Sequence, residues 1–400
     1  MDWKSFWGEG MELTKEEREM LEGKQGNAVK KSMEILVALG EIYGAKRLIG
    51  IESVQIAGVS YHNLGDAGLE YLAELAKDGK ARVLTTLNPA GMDLKDWKKL
   101  GISDEFAEKQ VKVIEAFEKM GVTVTCTCTP YLIGNLPLYG QHIAWSESSA
   151  VCFANSAIGA RTNREGGPSS IASALTGKTP EYGLHLEENR QAQVKVKVNA
   201  KIDTVPKFGA IGKVVGERIG NKIPLIEGIE KATLEQLKSL SASIATFGGT
   251  ALFHIKGITP NRTSEPRESI EVSEREITQA IESMSDTEEI DFVGVGCPHA
   301  SIKEIQEIAA LLKGKTVKKE FWVCTARQTK ELADKMGYTE KIEKAGAKIA
   351  ADTCMAVAPI KGKYRGMMTN SAKASYYAAG HNAFKTKIGS IRECVEEATK

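Results

Sequence analysis

At 400 residues the chain is too long for one small hydrophobic core and suits two or three packed domains. Its 42% hydrophobic and 26% charged residues make an ordinary soluble globular composition. With 53 basic against 52 acidic residues, it shows no electrostatic footprint for nucleic acid or for an anionic membrane. No apolar run approaches the roughly 18–20 residues that span a bilayer. The opening MDWKSFWGEG lacks a basic stretch followed by an apolar one, so no secretory signal is expected and the cytoplasm is the expected compartment. Residues 1–10, with Trp3 and Trp7, read as an N-terminal extension.

A first α/β region is expected over 11–200. Thr14 and Glu17 have capping-box spacing at the first helix. NAVKKSMEILVALG places Val29, Met33 and Leu36 on one helical stripe. Strand and helix patterns then alternate: RLIGIESVQIAGV, GDAGLEYLAELAKDG, ARVLTTLNP, DEFAEKQVKVIEAFEKMG and VTVTCTCTP. This is the sequence form of mostly parallel sheets with crossover helices. ESSAVCFANSAIGARTNREGGPSSIASALTG reads as helix, polar loop and helix, and QVKVKVN as a half-exposed strand. A middle α/β region is expected over 201–285, with a linker near 257–276. A third region, 286–400, reads as βαβαβ. The expected architecture is therefore several three-layer α/β/α domains.

The seven cysteines, in a chain without an export signal, do not read as a disulfide framework. In open α/β sheets ligands bind beyond the carboxyl ends of strands. Cys128, Cys297 and Cys354 each stand where a predicted strand hands over to a loop. Cys126 falls one step deeper on the same strand, Cys152 falls within a helix, and Cys394 lies near the C-terminus. Two readings stand side by side. The three are buried strand-end side chains, or they are thiolates holding an iron–sulfur cluster, of which a 4Fe–4S cube would keep one iron open.

Other polar groups are candidates of the same kind. Asn155, Ser156, Arg161, Thr162, Asn163 and Arg164 form a dense polar stretch suited to gripping carboxylate or phosphate. Ser169 opens the following helix. Asn88 follows a strand, and Asn370, Ser371 and Lys373 open a helix near the C-terminus. Ser60, His62, Glu147 and His254 are the candidate acid–base groups, although a lone strand histidine such as His254 also fits a satisfied core position. No G-x-x-x-x-G-K-[ST], G-x-G-x-x-G or G-x-S-x-G run occurs, so a nucleotide cradle and a serine elbow are not supported.

Taken together, CTPYLIGNLPLYGQHIAWSESSAVCFANSAIGARTNREGGPSS, TGKTPEYGLHL, FHIKGITP, GCPHAS, DTC and NSAKASYY resemble the aconitase X family over roughly residues 11–395. The resemblance implies an aconitase-like α/β fold and an iron–sulfur cluster on Cys128, Cys297 and Cys354. It implies a hydro-lyase, nearest to archaeal members that dehydrate mevalonate 5-phosphate to trans-anhydromevalonate 5-phosphate. Members acting on cis-3-hydroxyproline are the alternative. The small swivelling domain of the family, with its Gly/Ser-rich loop and basic serine, has no counterpart in the sequence. The implied partner is thus a small subunit carrying it, in a heterodimer, with a small anionic substrate between the two. Gln55 stands where the family commonly has histidine, and Asn261 where an acidic residue is expected; both bear on substrate class. Outside the enzymes, a non-catalytic cluster-bearing sensor or binding protein is the other reading.

Overall fold

The computed structural model describes residues 10–400, and Trp3 and Trp7 lie outside them. The first helix, Lys15–Leu21, opens on the expected capping box: the Thr14 hydroxyl accepts from the Glu17 N–H, and the Glu17 carboxylate accepts from the Thr14 N–H. Three parallel sheets follow in sequence. In the first, Ser53–Ile56 is central, with Leu84–Leu87 on one side and Ala144–Trp145 on the other. An antiparallel pair, Leu48–Gly50 with Lys178–Pro180, is the exception to the parallel rule.

The second sheet is centred on Val194–Asn199. Pro224–Glu227 and then His254–Ile255 lie on one side, and Glu268–Ser273 on the other. The sequence reading places Val194–Asn199 in the first region, up to residue 200. Its partners assign it to the second sheet instead. Likewise the expected linker near 257–276 contains the edge strand Glu268–Ser273 and the start of the helix Glu274–Ser283. Polarity misled there because this edge strand is largely exposed. The helices Val205–Ile219 and Leu234–Gly248 pack backbone to backbone. A Cβ on Gly216 would sit 2.8 Å from the Gly248 nitrogen, so small residues set that approach.

The third sheet has the order Lys348–Ala351, Glu320–Thr325, Phe292–Val295, Gly366–Thr369, Lys385–Ile388, all parallel. The chain starts in the middle, winds to one edge, then returns to fill the other. That doubly wound order makes a switch point beyond Phe292–Val295 and Gly366–Thr369, where a crevice opens. Both faces are buried. Val293, Val295, Phe321 and Val323 pack on one side, and Phe292, Trp322, Cys324 and Met367 on the other. The first sheet repeats the pattern, with Leu84–Leu87 and Ala144–Trp145 either side of the first strand. The carboxyl ends of the first and third sheets face a common cavity.

VTVTCTC is not the regular strand the alternation predicts. Thr123 alone bridges to Thr86. The Thr125 hydroxyl then takes the place of a backbone partner for the Leu87 N–H, at 3.0 Å, and Cys126 adopts φ +42°. The left-handed residue ends the alternation, so Cys126 and Cys128 do not share a simple face. Cys126 packs in the first core, and Cys128 reaches the cavity.

Candidate active site

A cavity of about 190 Å³ lies between the first and third sheets. Cys128, Cys297 and Cys354 line it together with Asn88, Glu147, Lys373 and Tyr377. Asn63 and His381 are exposed at its edge. Larger hollows elsewhere, such as one beside Leu312 and Tyr338, contain none of these groups.

Cys297 and Cys354 are each delivered by an irregular turn after a strand, and Cys128 by the irregular stretch described above. Cys297 follows Gly296, whose φ is +101°; a Cβ there would meet the Cys324 carbonyl oxygen at 2.1 Å, so only glycine fits. The Cys297–Pro298 peptide is cis. Cys354 follows Asp352, held at φ +64°, whose carboxylate is paired with Arg327. Arg327 also pairs with Asp93 of the first region, and the Ala351 N–H donates to Asp93 at 3.0 Å.

His299 ties the three turns together. Its N–H donates to Cys128 Sγ at 3.2 Å. Its Nε2 lies 3.0 Å from the Thr353 carbonyl oxygen, beside Cys354, and its Nδ1 lies 2.9 Å from Thr127 Oγ1. A carbonyl can only accept, so Nε2 carries the proton and Nδ1 accepts from the threonine. Lys238, paired with Glu304, donates to the His299 carbonyl at 2.8 Å. The sequence offered His299 only as the residue after Cys297–Pro298, with no periodic signal to mark it.

The polar wall is a second network. Glu147 pairs with Lys373, accepts from Ser149 Oγ at 3.0 Å and from Asn88 Nδ2 at 2.9 Å. Gln55 sits behind it, donating to the Thr127 carbonyl at 3.0 Å and accepting from the Glu147 N–H at 3.3 Å. Burial disfavours the Glu147 charge, but the Lys373 ammonium and the serine hydrogen bonds outweigh it and hold the carboxyl at a pKa of about 2. Burial likewise works against the Lys373 ammonium, and Glu147 and Cys297 overcome it, so its pKa is raised.

The chemistry of the three thiols bears on an iron–sulfur cluster. Among the described residues no three His, Cys, Asp or Glu groups stand together as ligands of a single metal ion. Three sulfurs spread around one cavity suit instead a body with separate corners, and thiolates are the donors such clusters use. Burial raises all three thiols, Cys128 to about 12, so without a bound cation they stay protonated. The Thr353 hydroxyl, next to Cys354, is buried without a partner among the described residues, and an inorganic sulfide accepts from such a spare donor. The residues therefore fit the group.

The other candidates fall in different places. Ser60 stands at the N-cap position of the helix Tyr61–Leu75, but its hydroxyl donates to the Val357 carbonyl at 3.3 Å instead of capping. His62 is exposed and does not line the cavity. His254 belongs to the second sheet, where Nε2 lies 2.8 Å from the Arg190 carbonyl, a satisfied core position. Asn370 and Ser371 stand behind Cys297, beside Lys238 and Glu304. Most of the polar stretch serves the fold. Asn155 donates to the Thr162 and Ala251 carbonyls, and Ser156 accepts from the Phe253 N–H. Thr162 accepts from the Trp145 N–H, and Asn163 clamps Tyr182 and Leu184. Arg161 pairs with Glu187, and Ser169 closes a turn onto Gly166 and Glu165. The hub is Arg190, buried and bonded to Asn155, Leu184 and Ala160, and reaching Asn261 at 3.4 Å. Arg164 alone of the stretch's two arginines is exposed without such a partner among the described residues.

The site is thus that of an α/β protein with a cysteine-lined crevice at a topological switch point. Family models for the aconitase X first, second and third domains match residues 10–188, 192–282 and 290–400. The chain belongs to the aconitase X family. It is 49% identical to the phosphomevalonate dehydratase large subunit of Thermococcus kodakarensis, over 97% of this chain and 100% of that one. It is 47% identical to that of Methanocaldococcus jannaschii, over 96% and 100%. A cis-3-hydroxy-L-proline dehydratase of Hypocrea jecorina is 34% identical over 98% of this chain and 69% of its own length. The crystal structure of Thermococcus kodakaraensis aconitase X in its holo-form matches with a TM-score of 0.91 at 48% identity, covering 97% of this chain and 100% of that one. The fold is accordingly aconitase-like α/β.

Proposed function

We propose that this chain is the large subunit of a cytoplasmic two-subunit hydro-lyase that converts mevalonate 5-phosphate to trans-anhydromevalonate 5-phosphate. The observation that carries the reading is the meeting of Cys128, Cys297 and Cys354 with the Glu147–Lys373 pair around one cavity. Identity favours this substrate over hydroxyproline: 47–49% to the first four relatives named for phosphomevalonate against 34% to the fungal hydroxyproline enzyme.

Cys128, Cys297 and Cys354 would hold an iron–sulfur cluster of the 4Fe–4S type. When bound, it supplies Lewis acidity for the departure of a hydroxyl group. Lys373, cationic and buried on the floor, attracts the substrate carboxylate and orients it against the cysteine side. Asn88 bridges Glu147 and Gln55 and offers amide polarity beside that position. Glu147 acts as a fixed anion that keeps Lys373 in place, because its oxygens are already taken by Lys373, Ser149 and Asn88. Removal of the C2 proton then falls to a base from the small subunit, the swivelling-domain serine. Arg164, free at the surface, receives the anionic far end of the substrate.

The test is co-expression with the small subunit, anaerobic purification, and assay on mevalonate 5-phosphate and on cis-3-hydroxyproline. A coloured, iron-containing complex that dehydrates the phosphorylated substrate is expected. A colourless, iron-free anaerobic preparation, or turnover of hydroxyproline alone, overturns the reading. Full activity from this chain without its partner overturns the assignment of the base.

A further inference from the structure

The cavity has a floor and a rim of different character. On the floor, Asn88, Glu147 and Lys373 are bonded to one another or to neighbouring groups. From there an aromatic ladder rises. The Lys373 ammonium lies 5.8 Å from the Tyr377 ring centroid, and the Tyr377 ring meets His381 edge-on at 5.3 Å. His381 is exposed at the rim, as is Asn63 on the opposing wall. Among the described residues neither side chain has a hydrogen-bond or ion-pair partner.

The turn that carries His381 is built rather than loose. The helix Ala372–Tyr377 continues into a wider turn, Ala378–Asn382, which Ala383 closes at φ +58°. Such widened turns recur at functional sites. Asn382 fixes it at both ends of its own residue. Its side chain donates to the Met355 carbonyl at 2.8 Å, and its carbonyl accepts from the Gly362 N–H at 2.9 Å. Met355 adjoins Cys354, so the rim histidine is indexed to the cysteine floor.

We infer that His381 and Asn63, from opposite walls, form the receiving pair for the phosphoryl group of the substrate, and set the preference for a phosphorylated over an unphosphorylated hydroxy acid. The inference rests on the proposed dehydratase reading and deepens it. With the carboxylate end drawn to Lys373 on the floor, the other end of the substrate's five-carbon main chain points to the rim. Two donors unpaired among the described residues meet it there, and such groups are what a phosphate accepts from. A ligand spanning the pair also holds the two walls together.

The experiment compares kcat/KM of the two-subunit holoenzyme for mevalonate 5-phosphate and for mevalonate, in wild type, His381→Ala, His381→Asn and Asn63→Ala. Titration calorimetry of the same two compounds gives a binding readout independent of turnover. Each alanine variant is expected to lower the phosphorylated-to-unphosphorylated preference by about tenfold to a hundredfold, the range for a hydrogen bond to a charged group. The change should fall mainly in KM, and His381→Asn should restore part of it. The visible absorption of the cluster should stay as in wild type. An unchanged preference, or an equal fall for both compounds, overturns the inference. A wild-type holoenzyme that turns over neither compound overturns the dehydratase reading itself, and the inference with it.

Discussion

Lys238→Met is the sharpest probe of how the second region supports the cysteine turns. The Lys238 and Glu304 side chains are 3% and 6% exposed, so the pair is buried. Lys238 also donates to the His299 carbonyl, and Glu304 accepts from the Ser301 N–H at 2.9 Å as the capping partner of the helix Ile302–Leu311. Methionine keeps the length of the stem and removes the charge. It leaves a buried carboxylate with one backbone donor and a carbonyl with no donor. Removing one member of a buried ion pair costs about 3–5 kcal/mol. Replacing both by apolar side chains of similar volume is close to neutral apart from the lost cap, about 1 kcal/mol. The double variant Lys238→Met with Glu304→Met should therefore be more stable than Lys238→Met alone, with a coupling of about 2 kcal/mol or more. Urea unfolding followed by fluorescence reads this, since Trp322 is fully buried in the neighbouring sheet. In the same preparations, Lys238→Met should lose bound iron faster in air, because the 297–299 turn has lost its anchor. Additive single effects, or a Lys238→Met cost below about 1 kcal/mol, would refute the reasoning.

Further outcomes follow from single residues. Cys354→Ser should yield an anaerobically purified protein with little iron and bleached visible absorption, whereas Cys394→Ser, buried in the C-terminal helix, should keep both; iron analysis and absorption spectra check this. Gly296→Ala should cost more than about 4 kcal/mol or give insoluble protein, because its Cβ would meet the Cys324 carbonyl oxygen at 2.1 Å; soluble yield and thermal melting decide it. His185 is kept neutral by burial, with a folded pKa of about 3 against an ordinary 6.5. The unfolded chain therefore takes up the proton first, and stability falls as pH drops from 6.5 toward 3. Between pH 7 and pH 5 His185→Gln should lose about 2 kcal/mol less than wild type, from 1.36 kcal/mol per pH unit below 6.5; urea midpoints at the two pH values test it.

Strand ends were legible in the sequence because parallel strands are apolar runs that stop abruptly, and the ligand side of such a sheet is fixed by chain direction. That is why Cys128, Cys297 and Cys354 could be singled out as strand-end residues, while their joining in one site came from the family resemblance. The same reasoning failed inside VTVTCTC. Alternation says nothing about a threonine hydroxyl replacing a backbone partner, or about a cysteine at φ +42°. The polar run 155–163 misled for a related reason. Its composition is that of an anion grip, yet Asn155, Thr162 and Asn163 are buried and spent on carbonyls and N–H groups of distant segments. Their organiser, Arg190, sits in a stretch with no pattern of its own. Polarity reports that a group must be satisfied, but not whether protein or ligand satisfies it.

Pairings across the chain were the least legible part, and they explain why this site is shared between regions. Glu147 and Lys373 each read as separate candidates at helix starts, where a carboxylate suits the N-terminus and a lysine can sit in any first turn, and nothing in the sequence pairs them. Only the facing of two sheet ends makes them a pair, and the pair then has two tasks. It neutralises a buried cation next to Cys297, and under the proposed function it presents that cation to an anionic substrate. The same facing sets Asp93 of the first region against Arg327 and Asp352 of the third, directly behind Cys354. The first and third regions are thus locked by charge at two points that flank the cavity. Among the described residues the second region supplies no lining group and supports the cavity from behind, as Lys238 does at the His299 carbonyl. Closure of such a site over a substrate therefore has to come from groups outside this lock, on the rim or on a partner. Asn63 and His381, unpaired among the described residues, are where this chain leaves room for it.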